Sequence, residues 1–315
     1  MADFWSGKKV LVTGGAGFLG RYVVTRLEEK GATVSVPRIE DYDLRRFEDC
    51  LKACDGQDLV IHLAGVVGGI DFNRTNPATV YTDNVLLNTH MMEAARVKGV
   101  KKFVGISSAC GYPLTAPVPL KEESFFDGPP EPTNGSYGFA KRMLAVQAEA
   151  YRQQYGLNAI TLILFNLYGP CDNFDPAHSH VIPALIRKHL EGNEVACWGD
   201  GSPSRSFLYV EDAADGILLA AEKYDQAAPL NIGTPEEVTI KDLVRMIAKA
   251  TAFSGAHTWD TSKPNGQPRR CADISKAKAL LGFEAATPLR EGLKKTVDWY
   301  NDTRRHPGAS QLQRT

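Results

Sequence analysis

Two side chains of complementary chemistry, the phenol of Tyr137 and the ammonium of Lys141, are separated by one helical turn. In a helix this spacing places both groups on the same face. A phenol with an ordinary pKa of about 10 exchanges protons poorly at neutral pH, but a neighbouring cation and a nicotinamide ring can lower that pKa. The pair therefore predicts proton transfer coupled to redox chemistry, provided that a dinucleotide binds beside it. Without that context, the same spacing is typical of a solvated helix face.

A glycine-rich run near the N-terminus provides this context. Gly14 and Gly17 allow the backbone to turn and approach a pyrophosphate, and Gly20 allows a helix to pack closely on the preceding strand. The helix that begins around Phe18 and Leu19 would direct its N–H groups and the positive end of its dipole at the phosphates. The run predicts a dinucleotide-binding site.

The end of the second predicted strand bears on which dinucleotide binds. An acidic residue there would hold the ribose 2′-hydroxyl of NAD. No carboxylate stands at that place, and Arg38 can pair with a 2′-phosphate, which favours NADP(H). In the alternative, NAD(H) binds, Arg38 is a solvated loop residue, and Glu40 or Asp41 holds the ribose. Further residues expected to line the adenine and ribose are Asp43, Leu63, Ala64 and Gly65.

The first half of the chain contains the elements that must position these groups. Short β-rich runs alternate with longer amphipathic stretches, which is the pattern of βαβ units and a parallel sheet. Right-handed crossovers then place helices on both faces of the sheet. The predicted strands are Lys9–Thr13, Thr33–Val36, Leu59–Leu63, Phe103–Ser107 and Ile160–Leu164, and the predicted helices are Leu19–Lys30, Arg45–Ala53, Val80–Lys98 and Tyr137–Tyr155.

The second half is less regular. The stretch Leu167–His180 is rich in Gly, Pro, Asp and Asn and is too long for a simple connection, which indicates a functional loop. Shorter elements follow at Ser206–Val210, Ala213–Glu222, Ile240–Thr251 and Leu289–Tyr300. We predict an α/β fold: a doubly wound parallel (Rossmann) sheet with a smaller C-terminal substrate-binding lobe. The Rossmann domain is assigned residues 1–166 and 205–232, the lobe residues 167–204 and 233–302, and a flexible tail residues 303–315.

Three features together resemble one family, the extended short-chain dehydrogenase/reductases. They are Thr-Gly-x-x-Gly-x-x-Gly at 13–20, the strand-end serines Ser107 and Ser108, and the Tyr137/Lys141 pair. The resemblance covers nearly the whole chain. It implies hydride transfer between a nicotinamide and a sugar carbon, with Tyr137 transferring the proton, Ser108 hydrogen-bonding the substrate oxygen and Lys141 holding the cofactor ribose.

Further segments resemble a subgroup of that family, the GDP-L-fucose synthases, which epimerise C3 and C5 of GDP-4-keto-6-deoxymannose and then reduce C4. These segments are Gly68–Ile70, Glu131–Asn134, Asn166–Pro170, Asp172–Phe174, Ser179–Leu185, Trp198–Gly199, Arg205–Phe207 and Lys263–Arg269. The resemblance implies a nucleotide-sugar 3,5-epimerase and 4-reductase that acts on a GDP-4-keto-6-deoxyhexose with NADPH.

In that subgroup, the cysteine matching Cys110 and the histidine matching His180 form the acid–base pair for epimerisation. A 4-keto group acidifies the neighbouring C–H positions, and exchanging their protons from opposite faces needs two groups that titrate near neutrality. In the alternative, Cys110 is a small core residue and His180 merely adjoins a helix N-cap. The resemblance also places Phe165 and His180 at the cofactor.

Basic residues of the second half are candidates for neutralising the diphosphate of a nucleotide sugar. Trp198 could pack on the sugar or the base. The alternative is that these cations are ordinary surface charges. The predicted substrate-binding residues are Ser108, Asn166, Lys188, Trp198, Arg205, Arg269 and Arg270.

Two departures leave other functions open. The turn contains Gly15-Ala16, where the synthases commonly carry basic residues, and Ser107–Pro113 also resembles GDP-mannose 3,5-epimerase, an NAD enzyme without net reduction. An NAD-dependent epimerase and a C4 reductase without epimerase activity therefore remain alternatives. Ala109-Cys110 stands where 4,6-dehydratases carry an Asp–Glu pair, which disfavours dehydration. A non-catalytic NADP sensor is disfavoured because the chain keeps the Tyr–Lys pair.

Composition excludes several partners. The 36 basic and 37 acidic residues leave a formal charge of -1, so no global field would draw the protein to nucleic acid or an anionic membrane. The stretch Met1–Lys9 has no apolar run of signal-peptide length, and about 18 uncharged apolar residues in succession occur nowhere, so we expect a cytoplasmic protein. The six cysteines are scattered without metal-ligand spacing, so we expect no metal and no disulfide framework, in a reducing compartment. The resemblance implies a homodimer paired through helices such as Val80–Lys98 and Tyr137–Tyr155.

Overall fold

The computed structural model describes residues 4–176, 178–263 and 265–306, apart from the side chains of Ile70 and Asp71. The strands are β1 Lys9–Thr13, β2 Thr33–Ser35, β3 Leu59–His62, β4 Lys102–Ser108, β5 Asn158–Leu164, β6 Leu167–Tyr168, β7 Glu194–Trp198, β8 Ser204–Ser206, β9 Leu208–Tyr209, β10 Leu230–Ile232, β11 Glu237–Thr239, β12 Ala256–Asp260 and β13 Arg269–Arg270. The helices are α1 Phe18–Glu29, α2 Phe47–Ala53, α3 Ile70–Thr75, α4 Pro77–Val97, α5 Gly135–Tyr155, α6 Val181–Glu191, α7 Val210–Lys223, α8 Ile240–Ala250, α9 Ser275–Leu281 and α10 Leu289–Arg305. Short 3-10 helices lie at Ala109–Gly111, Glu122–Phe126 and Pro132–Asn134.

A six-stranded sheet in the order β10-β5-β4-β3-β1-β2 is the centre of the fold, and all its neighbouring strands are parallel. The predicted α/β class with a doubly wound parallel sheet is confirmed. The strand order reverses between β1 and β3, so the carboxyl ends of these two strands open a crevice of the kind in which dinucleotides bind. The predicted strands of the first half all form, with ends that differ by one or two residues.

The apolar side chains of the strands alternate between two layers of helices. Val10 and Val12 face a core shared with α1 and α7, whereas Leu11 between them faces a core shared with α2, α4 and α5. Both faces of the sheet are therefore covered. This explains why the strands read as continuous apolar runs rather than as an alternation of apolar and polar residues.

A smaller lobe is built from short sheets and from helices α6, α8 and α10. One of its sheets has the order β11-β8-β13, and another pairs β12 with β7. Its core includes Ile186 of α6, Leu243 and Ile247 of α8, and Leu293 of α10. Helices α3, α6 and α9 were not predicted, because two of them have only 6 and 7 residues and α6 follows directly on the irregular loop.

The C-terminal boundary of the lobe differs from the prediction. Helix α10 continues to Arg305, so residues 303–305 are helical rather than part of a flexible tail. The hydroxyl of Thr303 donates to the Trp299 carbonyl at 2.9 Å, and the Arg304 guanidinium lies 5.8 Å from the centre of the Tyr300 ring. These contacts extend the last turn of the helix. Residues 307–315 of the predicted tail lie outside the described residues.

Candidate active site

The glycine turn between β1 and α1 is shaped for close backbone approach. Gly14 has a φ of 69°, which disfavours any side chain. A Cβ on Gly20 would lie 2.1 Å from the Gly14 carbonyl oxygen, and a Cβ on Gly14 would lie 2.9 Å from the Ala64 nitrogen. Among the described residues no side chain caps the N-terminus of α1, which follows Gly17. The turn therefore offers unshielded N–H donors beside Leu63–Gly65, and it fits a dinucleotide phosphate.

A buried polar chain connects this turn to the helix that carries Tyr137 and Lys141. The Ala64 N–H donates to the Thr13 hydroxyl at 3.2 Å, and that hydroxyl lies 2.7 Å from Nδ1 of His62. Nε2 of His62 lies 3.2 Å from the Asn88 side-chain oxygen, and the Asn88 amide donates to the Ala140 carbonyl at 3.3 Å. Since the Asn88 nitrogen is the donor to Ala140, its oxygen accepts from Nε2, and Nδ1 accepts from Thr13.

Burial makes this chain depend on a neutral imidazole. Thr13, His62 and Asn88 are almost entirely inaccessible to solvent. Desolvation, with a smaller effect of the Lys141 charge, lowers the pKa of His62 to about 3. We missed this chain in the sequence because its members lie on three different elements. The one available signal was the presence of polar residues at the ends of two apolar strands.

The loop after β3 is held by a second buried amide. Asn84 of α4 accepts from the Val66 N–H at 3.2 Å and donates to the carbonyls of Val66 and Val80 at 2.9 and 2.7 Å. A Cβ on Gly65 would lie 2.9 Å from the Asn84 oxygen and 3.3 Å from Nζ of Lys141. Gly65 is therefore required by close packing, and Lys141 reaches the loop predicted to line the ribose.

The loop after β2 contains the residues predicted to read the 2′-position of the dinucleotide. The guanidinium of Arg38 is 3.9 Å from the Glu40 carboxylate, and both side chains are exposed. Asp43 accepts two hydrogen bonds from Arg45, both at 2.9 Å, which lower the pKa of the Asp43 carboxyl. Arg45 also pairs with Asp83 at 3.3 Å. Arg38 thus remains accessible to a ligand, whereas Asp43 already pairs with a cation.

Tyr137 and Lys141 both lie buried at the N-terminal part of α5. Nζ of Lys141 donates to the Ile106 carbonyl at 3.1 Å, and the Ser107 hydroxyl donates to the Lys141 carbonyl at 2.9 Å. These two bonds fasten α5 to the end of β4. Burial lowers the pKa of Lys141 to about 8. Its Nζ is 5.8 Å from the centre of the Tyr137 ring.

In the protein without a dinucleotide, the pKa of Tyr137 is raised, and the lowering by Lys141 together with a nicotinamide stays a prediction. Burial raises that pKa above its ordinary value, the nearby Cys110 raises it further, and a hydrogen bond with Ser108 lowers it. The physical reason is that desolvation destabilises the buried phenolate. The positive charge of Lys141 does not offset this cost, because its ammonium donates to the Ile106 carbonyl. In this state the phenol holds its proton at neutral pH.

Cys110 sits in the 3-10 helix that follows β4. Its backbone N–H donates to the Ser108 hydroxyl at 3.2 Å. The guanidinium of Arg142, which sequence reasoning also missed, donates to the Gly111 carbonyl at 3.0 Å and to the Gly128 carbonyl at 2.7 Å. Arg270 donates to the Cys110 sulfur at 3.5 Å. Cys110 is partly accessible, unlike the core residue of the alternative interpretation.

His180, Phe165 and Asn166 belong to the stretch of chain between β5 and α6. His180 is the N-cap residue of α6; its side chain is accessible, yet surrounding protein atoms lower its pKa by desolvation. Phe165 is fully buried, so in this structure it offers no accessible surface for the predicted cofactor contact. The Asn166 amide donates to the Ser206 carbonyl at 2.8 Å, which links the end of β5 to β8 of the lobe.

The predicted substrate-binding cations of the lobe occupy different environments. Lys188 donates to the Ala196 carbonyl at 2.9 Å and is half-buried, and Arg269 pairs with Glu237 at 2.7 Å. Arg205 is largely enclosed, and burial with the charge of Arg270 lowers its pKa to about 10. The Trp198 ring is 57% exposed. Arg205 and Arg270 converge on Cys110, whereas Lys188, Trp198 and Arg269 are spread over the lobe surface.

The described part of the chain shows neither a metal-binding cluster nor a membrane-spanning helix. No group of three His, Cys, Asp or Glu side chains there could hold a metal ion. Over the same residues, no helix is both long and apolar enough to cross a membrane.

Known proteins are similar to this chain in sequence. Residues 10–233 match the NAD dependent epimerase/dehydratase family. The probable GDP-L-fucose synthase 1 of Oryza sativa subsp. japonica is 40% identical over 303 residues, which cover 93% of this chain and 92% of that protein.

Solved structures give the same result. A GDP-6-OMe-4-keto-L-xylo-heptose reductase from C. jejuni superimposes with a TM-score of 0.89 at 28% identity, covering 94% of this chain and 98% of that one. A GDP-L-fucose synthetase from Naegleria fowleri bound to NADP has a TM-score of 0.85 at 29% identity, and the match covers 96% of each chain. The predicted resemblance is confirmed: the chain belongs to the NAD dependent epimerase/dehydratase family, with GDP-L-fucose synthases among its relatives.

Proposed function

We propose that this protein is an NADP(H)-dependent nucleotide-sugar 3,5-epimerase and 4-reductase that acts on a GDP-4-keto-6-deoxyhexose. The observation that carries the proposal is one cluster at the end of β4. The Cys110 N–H donates to the Ser108 hydroxyl, and the Cys110 sulfur accepts from Arg270. Cys110 also lies close enough to Tyr137 to raise the pKa of the Tyr137 phenol. A thiol and a phenol thus lie near each other at the end of β4. The relatives named as GDP-L-fucose synthases support the substrate class.

Epimerisation requires two groups that exchange protons with carbon. The 4-keto group of the substrate stabilises the enolate formed when C3 or C5 loses a proton. Cys110 and His180 approach from different elements, the 3-10 helix after β4 and the N-terminus of α6. We assign Cys110 and His180 as the pair that removes and returns these protons. The lowered pKa of His180 leaves its imidazole neutral at neutral pH, in a form that can accept a proton.

Reduction at C4 requires a proton donor for the developing alkoxide. Bound NADPH supplies the hydride to C4. We assign Tyr137 as the proton donor, because its raised pKa keeps the phenol protonated until the substrate oxygen becomes strongly basic. Ser108, which hydrogen-bonds Tyr137, is assigned to hold the same substrate oxygen. Lys141, beside Gly65, is assigned to the cofactor ribose.

The proposed cofactor site combines the glycine turn with the loop after β2. The phosphates would lie at the N-terminus of α1, and Arg38 would pair with the 2′-phosphate of NADP(H). The exposure of the Arg38 guanidinium supports this assignment, and its contact with Glu40, at 3.9 Å, is too long for a hydrogen bond. Substitution of Arg38 by Ser is expected to weaken NADPH binding while leaving NADH binding unchanged. Equal loss of both affinities would contradict the assignment.

The proposed substrate site lies between Cys110 and the lobe. We assign Arg205 and Lys188 to the diphosphate and the accessible Trp198 ring to the sugar or base. The enclosed position of Arg205 supports this role, because a cation held in a protein cleft interacts more strongly with an anion than a solvated one does. Arg269, already paired with Glu237, is the weakest of these assignments.

We infer that the protein is a homodimer paired through α4 and α5, which pack side by side. Their outer faces expose large apolar side chains: Tyr81 and Val97 on α4, and Phe139, Val146 and Tyr155 on α5. Apolar groups grouped in this way are typical of an interface. Light scattering should give twice the mass of the chain, and Val146→Glu should shift the population toward monomer. A wild-type monomer at micromolar concentration would contradict the inference.

We also infer that the protein acts in a reducing compartment such as the cytoplasm. All six cysteines are free thiols, and four of them are buried. Cys110 in particular must remain reduced to serve in proton exchange.

A single incubation tests the proposed function. The purified protein is mixed with NADPH and GDP-4-keto-6-deoxymannose in deuterium oxide. We expect NADPH to be oxidised and the product to carry deuterium at C3 and C5 by NMR. The heptose reductase with the same fold makes reduction alone the second candidate, which would oxidise NADPH without deuterium uptake. If NADPH is not oxidised, but the NAD-loaded protein exchanges deuterium into GDP-mannose at C3 and C5, the protein is an epimerase without net reduction.

A further inference from the structure

Arg270 was predicted to bind a diphosphate, but its guanidinium is directed elsewhere. Its Nε and one terminal nitrogen both donate to the side-chain oxygen of Gln267, at 3.0 and 2.9 Å. Gln267 is itself buried. The other terminal nitrogen donates to the Cys110 sulfur at 3.5 Å. All three nitrogens of the guanidinium therefore donate to protein atoms, and one of these hydrogen bonds is to the sulfur of the proposed acid–base residue Cys110.

A fixed cation that donates to sulfur acts on the charge of that sulfur. A charge-assisted hydrogen bond is stronger when its acceptor is an anion, so it favours the thiolate over the thiol. Gln267 holds the guanidinium without neutralising it, because the side-chain amide carries no charge.

The other groups facing Cys110 come from three elements. Ser108 precedes it and accepts its N–H. Tyr137 of α5 interacts with its charge, as does Arg205 of β8, whose pKa Cys110 raises. The surroundings therefore include two cations and two neutral hydroxyls, and Arg270 is the cation for which a contact with the sulfur is observed.

We propose that Arg270 is a positioning residue for Cys110, holding the sulfur in place and favouring its thiolate form for proton removal from the sugar. This rests on the proposed epimerase function. In the step, the thiolate takes a proton from C3 or C5, a new S–H bond forms, and the electron pair of the C–H bond moves onto the 4-keto oxygen as an enolate. No oxidant or reductant is required.

The test measures Cys110 directly, without substrate. Alkylation of Cys110 by iodoacetamide is followed by mass spectrometry of its peptide as a function of pH, in wild type and in Arg270→Gln. We expect the pH midpoint of alkylation to rise by about one unit in the variant. The rate near pH 7 should fall only about threefold, because the more basic thiolate is intrinsically more reactive.

Three further variants make the result specific. Arg270→Lys restores the positive charge and should return the profile toward wild type. Gln267→Ala keeps Arg270 but loosens it, and should give an intermediate profile. Arg245→Gln removes an exposed arginine of α8 that pairs with Asp242, and should leave the profile unchanged. A melting temperature close to that of wild type shows that each variant is folded.

Kinetics separate this role from substrate binding. We expect Arg270→Gln to lower the kcat for deuterium uptake and to leave the KM for GDP-4-keto-6-deoxymannose nearly unchanged. An unchanged alkylation profile together with a raised KM would overturn the proposal and make Arg270 a phosphate ligand. Failure of the proposed function has a different signature: Cys110→Ser would retain deuterium uptake even though Arg270→Gln shifts the alkylation profile.

Discussion

The cofactor side and the substrate side of the crevice hold their polar groups in different ways. On the cofactor side, Thr13, His62 and Asn88 are buried and satisfy one another across three elements. On the substrate side, the half-buried Lys188 donates to a single carbonyl, and Arg269 pairs with Glu237 near solvent. A buried network costs free energy when one member is lost, whereas a solvated ion pair is worth little. Substitutions should therefore be tolerated far better on the lobe than around the glycine turn.

The largest effect is expected at the phenol itself. Tyr137→Phe removes the proposed proton donor with little change of shape, and kcat for NADPH oxidation should fall by about 10²- to 10⁴-fold. Deuterium uptake should persist, since that step is assigned to Cys110 and His180. Tyr155→Phe, at the exposed end of the same helix, is the matched control. Equal loss of both activities would mean that Tyr137 shapes the pocket rather than donating the proton.

The next effect is expected at the glycine turn. In Gly20→Val the added Cβ would stand 2.1 Å from the Gly14 oxygen, so the turn must shift. We expect the free energy of unfolding to fall by about 1–3 kcal/mol and the affinity for NADPH, measured by fluorescence titration, to fall by about 100-fold. Gly135→Ala, whose Cβ would meet no atom within 4 Å, is the control. Unchanged NADPH affinity in Gly20→Val would place the cofactor elsewhere.

A smaller effect is expected inside the buried chain. His62→Leu leaves the Asn88 oxygen without its donor and should lower the free energy of unfolding by about 1–3 kcal/mol at pH 7.5. Denaturant titration measures this change, and a loss as small as that of a surface substitution would contradict the argument.

The same residue predicts a pH dependence. The pKa of His62 falls from 6.5 to about 3 on folding. Below pH 6.5 the unfolded chain binds a proton that the folded protein does not, so stability falls as the pH drops from 6.5 toward 3. The slope from this one group is about 1.4 kcal/mol per pH unit. His62→Leu should remove that contribution, and an identical pH profile in both proteins would show that His62 is protonated in the fold.

The smallest effect is expected at Arg269. Its side chain is 52% exposed, and its pair with Glu237 is screened by water. Arg269→Ala should change the free energy of unfolding by less than about 1 kcal/mol. A larger loss of stability, measured by denaturant titration, would remove the contrast between the two sides of the crevice.

Local patterns were enough to predict the elements around the cofactor. The strand that ends at Thr13, the turn at Gly14 and the helix starting near Phe18 follow from glycine spacing and apolar runs within a few residues of each other. Helix α6 and the short helix α3 were missed, because their apolar residues become informative only once a neighbouring element exists to cover them.

The sequence by itself determined the chemistry that is available: a glycine turn for phosphates, a phenol and an ammonium on one helical face, and a thiol after a buried strand. The tertiary structure decided how those groups are tuned. Whether Tyr137 gains or loses acidity depends on burial and on where Lys141 points, and the partner of Arg270 depends on which strands meet. Electrostatic effects follow distance and solvent exposure in three dimensions, and the spacing of residues along the chain specifies neither.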